Sequence, residues 1–125
     1  MKLLDTTVAI DHLRGAESAV MLLRRLVDED EIVAASEVVR FELLAGVRDE
    51  ELDTLEQFFS AIWWVPVDDA VATTAGSMAR RHRKALGGID DMDYLIAATA
   101  LVLDAELLTT NVRHFPMIDG LAPPY

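Results

Sequence analysis

Apolar and polar positions alternate in short blocks along the chain, and the length and spacing of each block separate strands from helices. Lys2-Leu3-Leu4 is a brief apolar run that stops at Asp5, and the β-branched Thr6, Thr7 and Val8 follow, as in a buried strand that ends and turns. The spacing then predicts a short helix from Val8 to Arg14, ended by Gly15. A second helix over Glu17 to Val27 carries Val20, Leu23 and Val27 along one stripe. Glu31 to Ala35 reads as a second strand, and Ser36 is placed to cap a helix that runs to Gly46. Glu50 to Ala61 is amphipathic through Leu52, Leu55, Phe58 and Phe59, and Ile62 to Val67 reads as a third strand, its Trp63 and Trp64 serving packing rather than base stacking. Asp69 to Ala85 is a further helix, closed by Gly87-Gly88. Asp91 to Leu103 is a long apolar helix, Glu106 to Thr109 a last strand, and Pro116, Pro123 and Pro124 punctuate the tail.

Short strands alternating with helices define an α/β protein with a mostly parallel sheet covered on both faces. In such sheets ligands bind beyond the carboxyl ends of the strands, where Asp5 and the residues after Thr109 fall. A length of 125 residues suits one domain, and a hydrophobic content of 52% gives it ample core material. Cysteine is absent, which removes disulfides and thiolate chemistry and fits a reducing compartment. No apolar run reaches about 18 residues, and the first residues, with Asp5 and Asp11, lack the order of a signal peptide, so a cytoplasmic protein without membrane contact is expected.

Asp and Glu number 22 against 11 Lys and Arg, a formal charge of -11 that works against a polyanionic partner. The basic residues, however, cluster in Arg80-Arg81-His82-Arg83-Lys84, either a local anion-binding patch or a solvated helix face. Asp28 to Glu31 and Asp49 to Glu51 read as solvated turns.

The informative acids lie where the pattern calls for apolar residues. Glu42 shares a helix face with Val38, Val39 and Ala45, and Asp93 shares one with Ile96, Ala97 and Ala100. Each has an ordinary reading alone: Asp5 as a helix cap, Glu42 as the ion-pair partner of Arg40 or Arg80, Asp93 as a first-turn acid favoured by the helix dipole. Asp90 and Asp91 are alternative caps for the same helix. Three inward carboxylates together repel one another unless a cation joins them. Oxygen donors without cysteine suit Mg²⁺ or Mn²⁺.

Leu3-Leu4-Asp5-Thr6-Thr7, Glu42-Leu43-Leu44-Ala45-Gly46, Asp93-Tyr94-Leu95-Ile96-Ala97-Ala98-Thr99-Ala100 and Leu108-Thr109-Thr110-Asn111 with Phe115 resemble the PIN-domain family, in the order found in VapC-type toxins. The resemblance runs from about residue 2 to residue 119. It implies a three-layer α/β/α sandwich and a Mg²⁺- or Mn²⁺-dependent endoribonuclease leaving 5′-phosphate and 3′-hydroxyl ends. It also implies a cognate antitoxin that blocks the site, and a homodimer. By position, Asp5, Glu42 and Asp93 match the family's acids as metal ligands, and Asn111 its polar position after the last strand. His114 stands where another acid is common, which favours one firmly held metal over two. Thr6, Arg80, Arg81, Arg83, Lys84 and His114 are the candidates for RNA contact. Two rival readings are a haloacid-dehalogenase-like phosphatase with Asp5 as nucleophile, which lacks a second Asp at Thr7, and a catalytically inactive PIN-like binding protein.

Overall fold

Leu3 and Leu4 are fully buried in the first strand, β1 (Lys2–Leu4), and the chain turns at Asp5 directly into α1 (Thr6–Leu13). The computed structural model describes every residue except 86. After α1 come α2 (Glu17–Asp28), β2 (Val33–Ser36), α3 (Glu37–Gly46) and α4 (Leu52–Ser60), the last preceded by a 3-10 turn at Asp49–Glu51. Then follow β3 (Trp63–Val65), α5 (Asp69–His82), α6 (Asp91–Leu103), β4 (Glu106–Leu108) and a 3-10 turn at Val112–His114.

The four strands form one sheet in the order β3-β2-β1-β4, every pairing parallel. Parallel neighbours need long crossovers, and the helices supply them. Consecutive residues Leu3-Leu4, Ala34-Ala35 and Leu107-Leu108 are all buried, so helices cover both faces, as in a three-layer α/β/α arrangement. β1 is central, with Leu3 level with Ala34 on one side and with Leu107 on the other. On α6, Ile96, Ala97, Ala98 and Ala100 are buried, and their small side chains let it lie close against its neighbours α5 and α3. Among the described residues no helix is long and apolar enough to cross a membrane.

Several element ends differ from those the pattern predicts. α1 begins at Thr6 rather than Val8, because the Thr6 and Thr7 hydroxyls find tertiary partners that outweigh their β-branched preference. α2 buries Ala19, Leu22, Leu23 and Leu26, and Val27 is 66% exposed, so the buried stripe is rotated from the one expected. β2 begins at Val33, β3 and β4 are shorter than expected, and α5 stops at His82, because pairing and packing set where these elements end. Glu31 is not simply solvated: it accepts the amino terminus at 3.2 Å. Trp64 packs edge-on to Phe59 and beneath Arg40, whereas Trp63 is exposed.

Candidate metal centre

Asp5 stands at the amino end of α1 in an extended conformation, yet its side chain caps nothing. Its backbone N–H donates to Leu108 O at 2.9 Å, aligning the ends of β1 and β4 and bringing Thr109 beside it. Thr109 Oγ1 donates to Asp5 Oδ2 at 2.7 Å, and Thr7 Oγ1 donates to the same oxygen at 3.2 Å. These hydroxyls are held in turn by backbone N–H groups, Asn111 on Thr109 at 3.0 Å and Thr110 on Thr7 at 3.2 Å. Thr109 therefore spends its one proton on Asp5, and Thr7 Oγ1 also lies 3.4 Å from Thr109 Oγ1. The carboxylate, only 4% exposed, is locked through Oδ2, and among the described residues no donor is directed at Oδ1.

Glu42 projects from α3, half-buried, and its Oε1 accepts from Thr6 Oγ1 at 2.7 Å. Val38 and Val39 on the expected face are buried, but Ala45 is exposed, so Glu42 lies at the border of the core. It is not Arg40's partner. Arg40 pairs with Glu37 at 2.5 Å and lies 4.3 Å over Trp64.

Asp93 lies in the first turn of α6, where Asp90 supplies the cap by accepting from Met92 N–H at 3.0 Å. Freed from capping, the Asp93 side chain is 16% exposed, and its Oδ2 is 3.2 Å from His114 Nδ1. Burial and the charge of Asp5 push its carboxyl up to about 6, with Asp90 and Glu42 adding to the rise and His114 opposing it. Asn111 Nδ2 lies 3.0 Å from the same His114 nitrogen.

Asp5, Thr6, Glu42, Asp93, Asn111 and His114 are thus brought near one another by hydrogen bonds, a His–carboxylate contact and shared charge, beyond the carboxyl ends of β1, β2 and β4. From the basic segment, Arg83 pairs with Asp91 at 2.5 Å and stands over Tyr94 at the start of α6. Arg81 bonds Ser77, and among the described residues no ion pair engages Arg80 or Lys84. Thr109 is the site residue that the sequence reading missed. Its signal was a hydroxyl directly after an apolar strand, but its partner lies 104 positions away.

Carboxylate, amide and hydroxyl oxygens without sulfur fit a hard divalent ion, and the burial and mutual repulsion that raise Asp93 are what such an ion relieves. Among the described residues no three His, Asp or Glu side chains already enclose a common point. Thr109→Val removes the donor that fixes Asp5 while keeping shape. Divalent-ion affinity, followed by calorimetry, is expected to fall about 10- to 100-fold, and Thr109→Ser to restore most of it. Equal affinities in all three proteins would show that the hydroxyl positions nothing.

Residues 2–121 match the family model described as the PIN domain. Ribonuclease VapC19 of Mycobacterium tuberculosis is 62% identical over 125 residues, covering the whole of both chains. Ribonuclease VapC10 of the same organism is 40% identical over 125 residues, all of this chain and 93% of that one. Among solved structures, VapBC2 from Rickettsia felis bound to a promoter DNA fragment has a TM-score of 0.83 at 23% identity, covering 98% of this chain and 96% of that one, a likeness of fold. With a family model spanning nearly its full length and relatives at this identity, the chain belongs to the PIN-domain family and groups there with the VapC ribonucleases.

Proposed function

We propose that this chain is a divalent-metal-dependent endoribonuclease, the toxin of a toxin–antitoxin pair, with Asp5, Glu42 and Asp93 as ligands of Mg²⁺ or Mn²⁺. The observation that carries the reading is the hydrogen-bonded placement of Asp5, Glu42 and Asp93 near one another, where burial and then the Asp5 charge push the Asp93 carboxyl up. The naming of the full-length relatives as ribonucleases supports it. PIN-domain ribonucleases generally use a divalent metal. When bound, that ion supplies positive charge at the scissile phosphate and acidifies the attacking water.

The chain's own groups provide the positioning. Thr7 and Thr109 hold Asp5 through Oδ2, leaving Oδ1 without a donor among the described residues, and Thr6 fixes Glu42 as third ligand or as the acceptor that orients water. Asn111, anchored through its backbone to Thr109, presents an amide for hydrogen bonding to water or phosphate. The experiment is cleavage mapping across total RNA in chelator and after return of Mg²⁺ or Mn²⁺. Cleavage that persists in chelator, or in a folded Asp5→Ala, Asp93→Ala variant, would sink the reading.

RNA must approach a chain of net charge -11, and Arg80, Arg81 and Lys84 are the exposed cations we assign to that task. Neutralising those three is expected to weaken RNA binding and to reduce the slope of log affinity against log salt by up to about 2, at about 0.7 for each single-strand phosphate contact. An unchanged slope would make the segment a bystander. Arg83 contributes less, being held by Asp91.

The antitoxin partner is supported by the fold-level likeness to VapBC2. A groove of about 530 Å³ runs from Glu42 past Ile10, Leu13, Leu43, Val47 and Leu55, a surface on which an antitoxin segment would cover the cleft. Homodimerisation would use exposed apolar residues such as Phe41 and Leu44 on α3.

A further inference from the structure

His114 directs an imidazole nitrogen into a cleft whose other candidate donors are oxygens. Its backbone N–H bonds Asn111 O at 2.9 Å, and the next residue, Phe115, is buried, so the turn that carries the ring is anchored at both ends. Nδ1 lies 3.2 Å from Asp93 Oδ2 and 3.0 Å from Asn111 Nδ2. Neighbouring ligand atoms on an octahedral ion with bonds of about 2.1 Å stand about 3 Å apart. The 3.2 Å separation of Nδ1 from Oδ2 would therefore let both atoms reach one ion. At 53% exposure the ring also lies where an ion entering from solvent meets it.

We propose that His114 Nδ1 binds the divalent ion beside Asp93, and that this nitrogen shifts the preference of the centre from Mg²⁺ toward Mn²⁺. The inference rests on the metal-site reading above and adds to it a ligand and a selectivity. Mg²⁺ favours oxygen donors and holds its water tightly, whereas Mn²⁺, although the weakest of the first-row series and content with oxygen, accepts an imidazole nitrogen more readily than Mg²⁺ does. An oxygen-only centre has no such bias.

The test is Mn²⁺ binding to the whole chain, read by electron paramagnetic resonance without turnover. Pulsed spectra of the wild type are expected to show the nitrogen coupling of a bound imidazole, and His114→Gln to lose it. Mn²⁺ affinity should then fall by about tenfold or more, while Mg²⁺ affinity, measured by competition, changes by less than about threefold. The exposed ring makes the substitution compatible with folding, which thermal unfolding verifies. Mn²⁺ bound without nitrogen coupling, or coupling that survives in His114→Gln, overturns the inference and leaves the metal site standing. If neither ion binds the wild type, both the inference and the reading beneath it fall.

Discussion

Asp93→Asn is expected to lower RNA cleavage by about a thousandfold or more and, in a chelating buffer, to make the folded protein more stable than the wild type. On the metal site proposed above, the first effect would follow from removing a charged ligand from the ion that offsets the phosphate charge. The second follows from electrostatics. In the folded chain the Asp93 carboxyl titrates at about 6 against an ordinary value of 3.8, because burial and Asp5 disfavour its charge. The folded state therefore holds this proton more tightly than the unfolded chain. Wild-type stability in chelator is highest, as far as this group decides it, below about pH 4, and it declines as pH rises through 6. Its loss amounts to about 2 kcal/mol once solvent screening at the cleft mouth is allowed for. Asparagine carries no charge, so this part of the decline disappears. Denaturant titrations across pH 4 to 7 measure it, and a variant less stable than the wild type at pH 7 in chelator would contradict the argument. Saturating divalent ion should reverse the order at pH 7, because only the wild type gains full binding energy.

Leu3→Ala carries the largest expected cost to folding, about 3 kcal/mol, a large part of the roughly 5–15 kcal/mol of a typical domain. Leu3 is fully buried at the centre of the sheet, between Ala34 and Leu107, and small neighbours on β2 cannot move to fill the space. Urea unfolding should show a lower midpoint at unchanged slope. Val27→Ala is the matched control. Its site is 66% exposed although the helical pattern placed it on the buried stripe, and a change within about 0.5 kcal/mol is expected. Comparable losses at both positions would mean that α2 packs by the stripe read from sequence rather than the one observed.

The helix caps were legible because capping is local. Ser36 accepts from Val38 N–H and Asp90 from Met92 N–H, each two residues on. The strand and helix alternation was legible for the same reason, since periodicity belongs to a few neighbouring residues. Asp5, Glu42 and Asp93 stood out as acids at apolar positions, which is a statement about burial and needs no fold. The rotation of α2 was not legible: Val20, Leu23 and Val27 have a valid helical spacing, and only the neighbours of α2 decide which side is covered.

What the sequence determined by itself was the α/β class, the approximate order of elements, the three acids and the family to which their motifs point. What the tertiary structure alone decided was how those acids are held. Thr109 reaches Asp5 across 104 positions, Thr6 reaches Glu42 across 36, and His114 meets Asp93 from a separate turn. Parallel pairing of β1 with β4 brings Thr109 beside Asp5, and its pairing with β2 brings α3 and Glu42 toward Thr6. The physical reason is range: local pattern records backbone preference and burial, whereas the orientation of a carboxylate depends on donors brought to it by strands far apart in the chain.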